Sequence, residues 1–166
     1  MEFIVAMDEK GGIAKNGNIP WNIPEDLKFF RGKTEHHIVI LGKKTFDSFP
    51  LKKPLKNRLH IVLTKKPDEC IQYPNVIFTN TIDWISSFFP SKQHYSYLDE
   101  NPKKYVIGGA EIYRLFFSQC RRGWVTYVKG DFDCDIFFPN GQIINNNIKE
   151  ENIIEETDGY CIYQIE

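Results

Sequence analysis

The sequence has no long hydrophobic run, and its charges nearly cancel. No segment approaches the roughly 20 apolar residues that a membrane-spanning helix requires, and no secretory leader pattern follows Met1. The chain has 21 lysines and arginines against 22 acidic side chains, a formal net charge of −1. This balance argues against a general nucleic-acid or membrane-surface role and confines any anion site to a local basic patch. We therefore expect a cytoplasmic protein that has neither nucleic acid nor a membrane as its partner.

A cysteine framework is also missing. The four cysteines (Cys70, Cys120, Cys134 and Cys161) are scattered, with no CxxC pair and no metal-ligand spacing to the four histidines. This pattern predicts free thiols in a reducing compartment and no metal site. With 166 residues, the chain is expected to form one domain, residues 1–166. We also expect it to be a monomer.

The most informative stretch surrounds a tryptophan between two prolines. The proline after Trp21, Pro24, predicts the start of a helix, because its fixed φ suits the first turn. On that helix Asp26 shares a side with Phe29 and Phe30. Asp26 is then either a first-turn acid that complements the helix dipole or a buried carboxyl that holds a proton near neutral pH. The stretch alone leaves both interpretations open.

Buried-strand patterns alternate with helical patterns through two-thirds of the chain. Strands are predicted at residues 2–7, 37–41, 59–63, 75–79, 105–107 and 124–128, and helices after Pro24 and at residues 43–46, 82–89 and 110–118. After a predicted loop at residues 140–152, Asp158-Gly159 predicts a hairpin between strands 153–157 and 160–165. The order predicts an α/β fold with a mainly parallel eight-stranded sheet, an antiparallel C-terminal edge strand and helices on both faces.

Two of the predicted helices carry apolar stripes. The stripe of the helix at 82–89 consists of Ile82, Ile85 and Phe89. That of the helix at 110–118 consists of Ile112, Leu115 and Phe116. We expect these side chains to be buried.

Basic residues and glycines follow three of the strands. Residues 42–45 read Gly-Lys-Lys-Thr, and residues 64–66 read Thr-Lys-Lys. At the carboxyl ends of neighbouring strands these lysines predict a phosphate site, although lysines there are often only solvated. Gly108-Gly109 lies between a strand and a helix, where it permits either a close approach to a pyrophosphate or simply a tight turn.

Two single residues are further candidates. Arg58 precedes an apolar strand and is suited to bidentate carboxylate recognition, or is an ordinary surface arginine. Thr126, in the middle of an apolar strand, has a hydroxyl that needs a partner if it is buried.

Taken in order, these segments resemble dihydrofolate reductase over nearly the whole chain. The resemblance depends on an ordered set of segments rather than on one motif. The matching segments are residues 4–6, 17–21, 24–30, 41–46, 54–55, Arg58, 106–109, 112–113, 125–126, Asp135 and 138–139. The resemblance implies NADPH-dependent reduction of dihydrofolate to tetrahydrofolate, which serves one-carbon metabolism and thymidylate synthesis. In that reaction a hydride goes to C6 of the pterin and a proton to N5.

The resemblance also implies roles for single residues. Asp26 would promote protonation at N5, Thr126 would support that contact, and Trp21 would anchor a closing loop and help to place a water. Arg58 would hold the α-carboxylate of the substrate's glutamate tail. The implied substrate-binding residues are Val5, Ala6, Asp26, Leu27, Phe30, Phe49, Leu55, Arg58, Ile107 and Thr126.

The implied NADPH site joins the basic segments to the glycine pair. Lys43, Lys44 and Thr45 would bind phosphates, Lys65 would favour the 2′-phosphate, and a cis peptide would join the two glycines beside the nicotinamide. The implied cofactor-binding residues are Ala6, Met7, Ile13, Gly17, Asn18, Ile19, Gly42, Lys43, Lys44, Thr45, Leu63, Thr64, Lys65, Ile107, Gly108, Gly109, Ala110, Glu111, Ile112 and Tyr113.

Two other functions compete with this one. A pyrimidine reductase of riboflavin synthesis shares the fold and an NADPH site, but would lack the acid at Asp26 and the tail-binding Arg58. A folate-binding module without turnover would keep the site but would not oxidise NADPH. Since Asp26, Thr126 and the glycine pair are all present, the sequence favours the enzyme.

Overall fold

The computed structural model describes the backbone of residues 1–166 and every side chain except that of Ile143. Its ten strands are β1 (Glu2–Asp8), β2 (Gly12–Ala14), β3 (Ile38–Gly42), β4 (Leu59–Leu63), β5 (Val76–Thr79), β6 (Lys104–Gly108), β7 (Arg122–Val128), β8 (Ile136–Phe137), β9 (Ile153–Glu156) and β10 (Tyr160–Ile165). Eight of them form one sheet in the order β5-β4-β3-β6-β1-β7-β10-β9, and β2 pairs separately with β8.

The large sheet is mainly parallel, as predicted. Every neighbouring pair from β5 to β7 is parallel, whereas β10 runs antiparallel to both β7 and β9. The hairpin predicted around Asp158-Gly159 joins β9 to β10. The reversed strand therefore lies one place inside the edge, and β9 forms the edge itself.

Four α-helices cover the two faces of this sheet: α1 (Pro24–Thr34), α2 (Lys43–Asp47), α3 (Ala110–Phe116) and α4 (Gly141–Asn147). Helix α1 begins with a proline in its first turn, as predicted, and carries acidic residues there and basic residues in its last turn. In the described part of the chain, none of the helices combines the length and the apolar character needed to cross a membrane.

Strand β1 separates two cores by the alternation of its side chains. Phe3, Val5 and Met7 point into the larger core, to which α3 and α4 contribute Ile112 and Ile144. On the other face, Ile4 packs with Trp124 beneath the phenylalanines of α1. Helix α2 covers the same face further along the sheet, where Phe46 is buried among residues of β3, β4 and β5.

The helix predicted at residues 82–89 does not form, and that prediction is wrong. The segment makes turns, and the hydroxyl of Thr79 accepts hydrogen bonds from the Thr81 N–H (3.1 Å) and from the indole N–H of Trp84 (3.3 Å). These contacts give the start of the segment an alternative to helical hydrogen bonding. Ile85 is fully buried, as expected, but Phe89 is 69% exposed.

The stripe predicted for α3 is wrong at one position. The buried residues of the helix are Ile112, Tyr113 and Phe116, whereas Leu115 is 44% exposed. Positions i, i+1 and i+4 share one face of a helix, so Tyr113 takes the core position that was expected for Leu115.

The loop predicted at residues 140–152 is wrong in part, because α4 occupies half of it. Asparagine is a weak helix former, which is why the segment was predicted as a loop. Ile144 is 1% exposed and belongs to the larger core, so burial of this side chain outweighs the local preference.

The loop after β1 has more structure than its polar sequence predicts. It forms β2 and then a tight turn in which Lys15 and Asn18 exchange backbone hydrogen bonds of 2.8 and 3.0 Å. Asn16 and Gly17 both have positive φ, at 50° and 78°, as a two-residue hairpin turn requires. We call residues 10–19 the lid loop.

Candidate active site

The carboxyl ends of the central strands bring most of the predicted residues together. Ala6 pairs with Thr126 across β1 and β7, and Gly42 pairs with Leu63 across β3 and β4. Leu41 pairs with Gly108, at the end of β6. In open α/β sheets, ligands bind at this end of the strands.

Asp26 lies at the start of α1 and bonds to the sheet beneath it. The hydroxyl of Thr126 donates to its carboxylate oxygen Oδ1 at 2.5 Å. Burial raises the pKa of the Asp26 carboxyl above its ordinary value of 3.8, and the hydrogen bond from Thr126 offsets only part of that rise. Of the two interpretations of Asp26, the geometry favours a shielded acid over a solvated first-turn residue. The expected need of Thr126 for a partner is also met.

Most of the predicted apolar substrate residues are accessible to a ligand, and we call Phe30, Phe49, Leu55 and Ile107 the apolar wall. Phe30, Phe49, Leu55 and Ile107 are half-buried, and Ala6 is similarly accessible. By contrast Leu27 is 61% exposed, and Val5 is buried in the larger core on the opposite face of the sheet. The side chain of Val5 is therefore part of the core and is not available to contact the substrate.

Arg58 is held in place by the protein and is not an ordinary surface arginine. It is 6% exposed, and its Nε donates to the carbonyl of Lys56 at 3.0 Å. Its Nη1 donates to the hydroxyl of Thr34 at 3.1 Å, and that hydroxyl donates to the carbonyl of Phe30. Arginine has five N–H donors, so three of them have no partner among the described residues. Burial lowers the pKa of the guanidinium below its ordinary value, and nearby Glu35 acts in the opposite direction.

The glycine pair lies beside Tyr113 at the end of β6. The Gly108–Gly109 peptide is cis, as the resemblance implies, and Gly108 has a φ of 121°, a region that residues with side chains rarely adopt. The hydroxyl of Tyr113 donates to the carbonyl of Ile4 at 2.7 Å, and its ring passes next to Gly108. Gly108 is thus buried against the tyrosine ring, whereas Gly109 is half-buried.

The lysine segments lie at neighbouring strand ends, but not all of their charges are free. Lys43 forms an ion pair with Asp47 at 2.5 Å, and Lys66 lies 3.7 Å from Glu69. Lys44 and Lys65 are exposed, and neither forms an ion pair with a described side chain.

The remaining predicted cofactor residues fall into two groups. Half-buried or exposed, and so open to a ligand, are Ile13, Gly17, Asn18, Ile19, Thr45, Thr64, Ala110 and Glu111. Met7 and Ile112 have side chains inside the larger core, so their side chains are closed to a ligand.

The lid loop is joined to residues 131–135 by charged contacts. Lys10 lies 2.9 Å from Asp131, Lys15 lies 3.2 Å from Asp133, and the Asn16 N–H donates to Asp135 at 3.0 Å. The three acids occupy alternate positions in the sequence, and each contacts the loop at a different point.

Trp21 and Asp8 fix the two ends of that arrangement. The Trp21 ring packs edge-on against Phe132, with centroids 5.3 Å apart. Buried Asp8 accepts hydrogen bonds from the backbone N–H groups of Lys10 (2.9 Å), Gly12 (2.8 Å) and Phe132 (3.1 Å). The lid loop therefore starts from a rigid base.

Four residues with a clear structural part in this site were missed by the sequence analysis: Asp8, Thr34, His60 and Asn75. An acid that directly ends an apolar strand and a histidine inside one are both detectable signals, because a buried polar group needs partners. Thr34 and Asn75 carry no such signal, since their partners are distant in the sequence.

Comparisons with known proteins agree with this geometry. The family profile described as "Dihydrofolate reductase" matches residues 1–164. The dihydrofolate reductase of Bacillus subtilis is 34% identical over 142 residues, covering 84% of this chain and 75% of the relative. That of Aedes albopictus is 30% identical over 179 aligned positions, covering 97% of this chain and 95% of the relative.

A solved structure shows the same architecture. Dihydrofolate reductase from Enterococcus faecalis, complexed with NADP(H) and RAB-propyl, superposes with a TM-score of 0.67 at 28% identity. The match covers 98% of this chain and 92% of that one. The profile match over nearly all residues, the two relatives and the shared sheet all lead to one assignment. This chain belongs to the dihydrofolate reductase family.

Proposed function

We propose that Asp26 promotes protonation of the pterin in the NADPH-dependent reduction of dihydrofolate to tetrahydrofolate, the reaction of this family. One observation carries the proposal. A carboxyl with a raised pKa lies within hydrogen-bond reach of a buried threonine, at the strand ends where a ligand binds. A carboxyl in this state exchanges a proton near neutral pH more readily than a solvated one does. Asp26 is thus the acid for N5, reaching it directly or through one water.

Several residues fit the cofactor that this reaction requires. NADPH, when bound, supplies the hydride that goes to C6 of the pterin. Gly108 and Gly109 present bare backbone beside Tyr113, and a side chain at Gly109 would approach the Thr45 hydroxyl to 3.5 Å. Lys44 and Lys65 offer exposed positive charge at the neighbouring strand ends. We assign the phosphates to Lys43, Lys44 and Thr45, and the 2′-phosphate to Lys65.

On the substrate side, we assign the glutamate tail to Arg58 and the ring system to the apolar wall. The N–H groups of Arg58 that have no described partner suit bidentate binding of a carboxylate, and Thr34 holds the guanidinium in one orientation. Phe30, Phe49 and Leu55 then contact the rings between the pterin and that carboxylate. Fixing both ends of the substrate aligns it for hydride transfer.

The lid loop, in this proposal, covers the reacting rings. Trp21 anchors it through Phe132, and the contacts with Asp131, Asp133 and Asp135 hold it over the strand ends. A closed lid excludes water from the path of the hydride, and its opening then contributes to the rate of product release.

Stopped-flow mixing of the purified protein with NADPH and dihydrofolate tests the proposed function. Loss of NADPH absorbance that depends on dihydrofolate is expected. Binding of both compounds without oxidation would mean a folate-binding module. Activity with a pyrimidine substrate of riboflavin synthesis, and none with dihydrofolate, would assign the chain to the other reductase.

The cofactor assignment has its own test. We expect the double variant Lys43→Ala, Lys65→Ala to bind NADPH about tenfold or more weakly, while NADH binding changes much less, because NADH has no 2′-phosphate. Fluorescence titration with each cofactor measures both constants. Lys66→Ala is the matched control, since Lys66 is the adjacent lysine and faces Glu69. Equal losses for the two cofactors would contradict the role of the 2′-phosphate.

We further propose that the chain acts in the cytoplasm as a single-domain monomer without a nucleic-acid partner. A single eight-stranded sheet runs through residues 2–165, which supports one domain. The four unpaired cysteines suit a reducing compartment, and a net charge of −1 offers nucleic acid no general attraction.

A further inference from the structure

We propose that His60 and Asn75 are positioning residues for the substrate's tail, because together they fix the turn that carries Leu55 and Arg58. The inference rests on the tail-binding role proposed above for Arg58. Neither residue belongs to the apolar wall or touches the acid Asp26 in the structure. Their part is to hold the backbone from which the wall and the guanidinium extend.

His60 bonds to the first residue of the turn from inside the sheet. It lies on β4, is fully buried, and its Nε2 accepts the backbone N–H of Leu55 at 3.0 Å. Its Nδ1 lies 3.1 Å from the backbone carbonyl of Asn75. An N–H can only donate and a carbonyl can only accept, so the ring must be neutral, with its proton on Nδ1.

The surroundings of His60 keep it in that state. Burial lowers its pKa to about 4, and the nearby Arg58 guanidinium adds to this effect. The rings of Phe46 and Phe49 contact the imidazole edge-on, with centroids 6.2 and 6.1 Å away. The same histidine therefore supports Phe49 of the apolar wall as well as Leu55.

Asn75 closes the turn from the other side. Its side-chain amide donates to the carbonyl of Leu55 and to the carbonyl of Arg58, both at 3.2 Å. Its own carbonyl accepts the backbone N–H of His60 at 2.9 Å. The Asn75 amide thus joins the two ends of the turn, and His60 joins Leu55 to β4.

The result is that Arg58 is fixed through its backbone and its side chain by separate groups. Asn75 holds its carbonyl, while Thr34 and the carbonyl of Lys56 hold its guanidinium. A bidentate contact with a carboxylate depends on this orientation, since a planar guanidinium that rotates loses one of its two hydrogen bonds. If the network is lost, the tail is released, while the pterin and Asp26 are left in place.

The test compares dihydrofolate with a dimethyl dihydropterin, which has the pterin ring without the aminobenzoylglutamate tail. We expect His60→Leu and Asn75→Ala each to raise the KM for dihydrofolate about tenfold, with kcat at saturation unchanged. The KM for the tail-less pterin should change by less than about twofold. His60→Gln keeps an acceptor for the Leu55 N–H and should restore most of the affinity.

Val76→Ala is the matched control. Val76 pairs with His60 across β4 and β5 and is buried in the same cluster, but makes no side-chain hydrogen bond to the turn. It should lower stability while leaving the ratio of the two KM values unchanged. If His60→Leu does not fold, Asn75→Ala makes the same comparison, because Asn75 is only half-buried.

Equal KM increases for the two substrates, or none for dihydrofolate, would overturn the inference. Arg58→Gln separates this failure from a failure of the proposed function. If Arg58→Gln raises the KM for dihydrofolate and the His60 and Asn75 variants do not, only the positioning role is lost. If Arg58→Gln has no effect, the tail-binding role itself is wrong.

Discussion

The tip of the lid loop and the turn at residues 55–58 both border the site, but the protein holds them by opposite means. The base of the lid is bonded to Asp8 and paired through β2, whereas its tip is attached by charges in water: the side chains of Lys15 and Asp133 are 41% and 91% exposed. The turn is attached by buried hydrogen bonds from His60 and Asn75. Exposed ion pairs contribute little and are screened by salt, whereas breaking a buried hydrogen bond leaves polar groups unpaired. The contrast indicates a mobile lid tip over a rigid substrate-binding surface.

The largest effect is expected from the acid Asp26, which lies outside both regions and is fixed by its hydrogen bond to β7. Asp26→Asn should slow the reduction of dihydrofolate about 10²–10⁴-fold at neutral pH, because the general acid is lost. The loss should be smaller in acid, where substrate that is already protonated bypasses the missing donor. A pH profile of single-turnover rates measures both limits. A loss that is the same at every pH would exclude Asp26 as the proton source.

A second variant acts on the rigid side without touching the chemistry. Thr34→Val removes the hydroxyl that accepts from Arg58, so we expect about a fivefold rise in KM for dihydrofolate and a loss of about 1–2 kcal/mol in the free energy of unfolding. Steady-state kinetics and urea denaturation give the two values. Thr34→Ser keeps the hydroxyl and serves as the control. An unchanged KM with lowered stability would show that Thr34 supports the fold but not the substrate.

The acid should also cost the folded protein stability. Folding raises the pKa of Asp26, so the folded state binds more protons than the unfolded state, and stability falls as pH rises above the ordinary value of 3.8. Asp26→Asn avoids this cost and should therefore unfold at a higher temperature than the wild type at pH 7. The difference should shrink as the pH is lowered towards 4. Thermal scans across this range check the sign, and a variant less stable at pH 7 would contradict it.

The smallest effect is expected on the mobile side. Asp131→Asn combined with Asp133→Asn removes two exposed partners of the lid, and we expect kcat to change by no more than about threefold. In the wild type, added salt should mimic part of this change, and in the variant it should have less effect. Kinetics at two salt concentrations make the comparison. A loss as large as that of Thr34→Val would mean that the lid is held as firmly as the turn.

The sequence predicted the elements that depend on local signals and missed those that depend on distant contacts. Strands with continuous apolar runs, the helix at Pro24 and the hairpin at Asp158-Gly159 are local signals, and the structure contains them all. Helix α4 was missed because one distant contact, the burial of Ile144, decides it.

The candidate site follows the same rule. Asp26 and Thr126 were both identified, since each looked unusual in its own segment. Their hydrogen bond spans 100 positions, and only the resemblance to a family linked them beforehand. The support from His60 and Asn75 is equally non-local, because it joins residues of a turn and two strands that no sequence period relates.

The register of β7 has a consequence for how this protein can change. Thr126 lies opposite Ala6 on one side and opposite Ile162 on the other, so both neighbouring strands fix which way its hydroxyl points. Adding or deleting a single residue in β7 would turn that hydroxyl to the far side of the sheet. Indels in this strand should therefore abolish turnover even in variants that remain foldable, whereas the same indels near the tip of the β9–β10 hairpin should be tolerated in a mutational library.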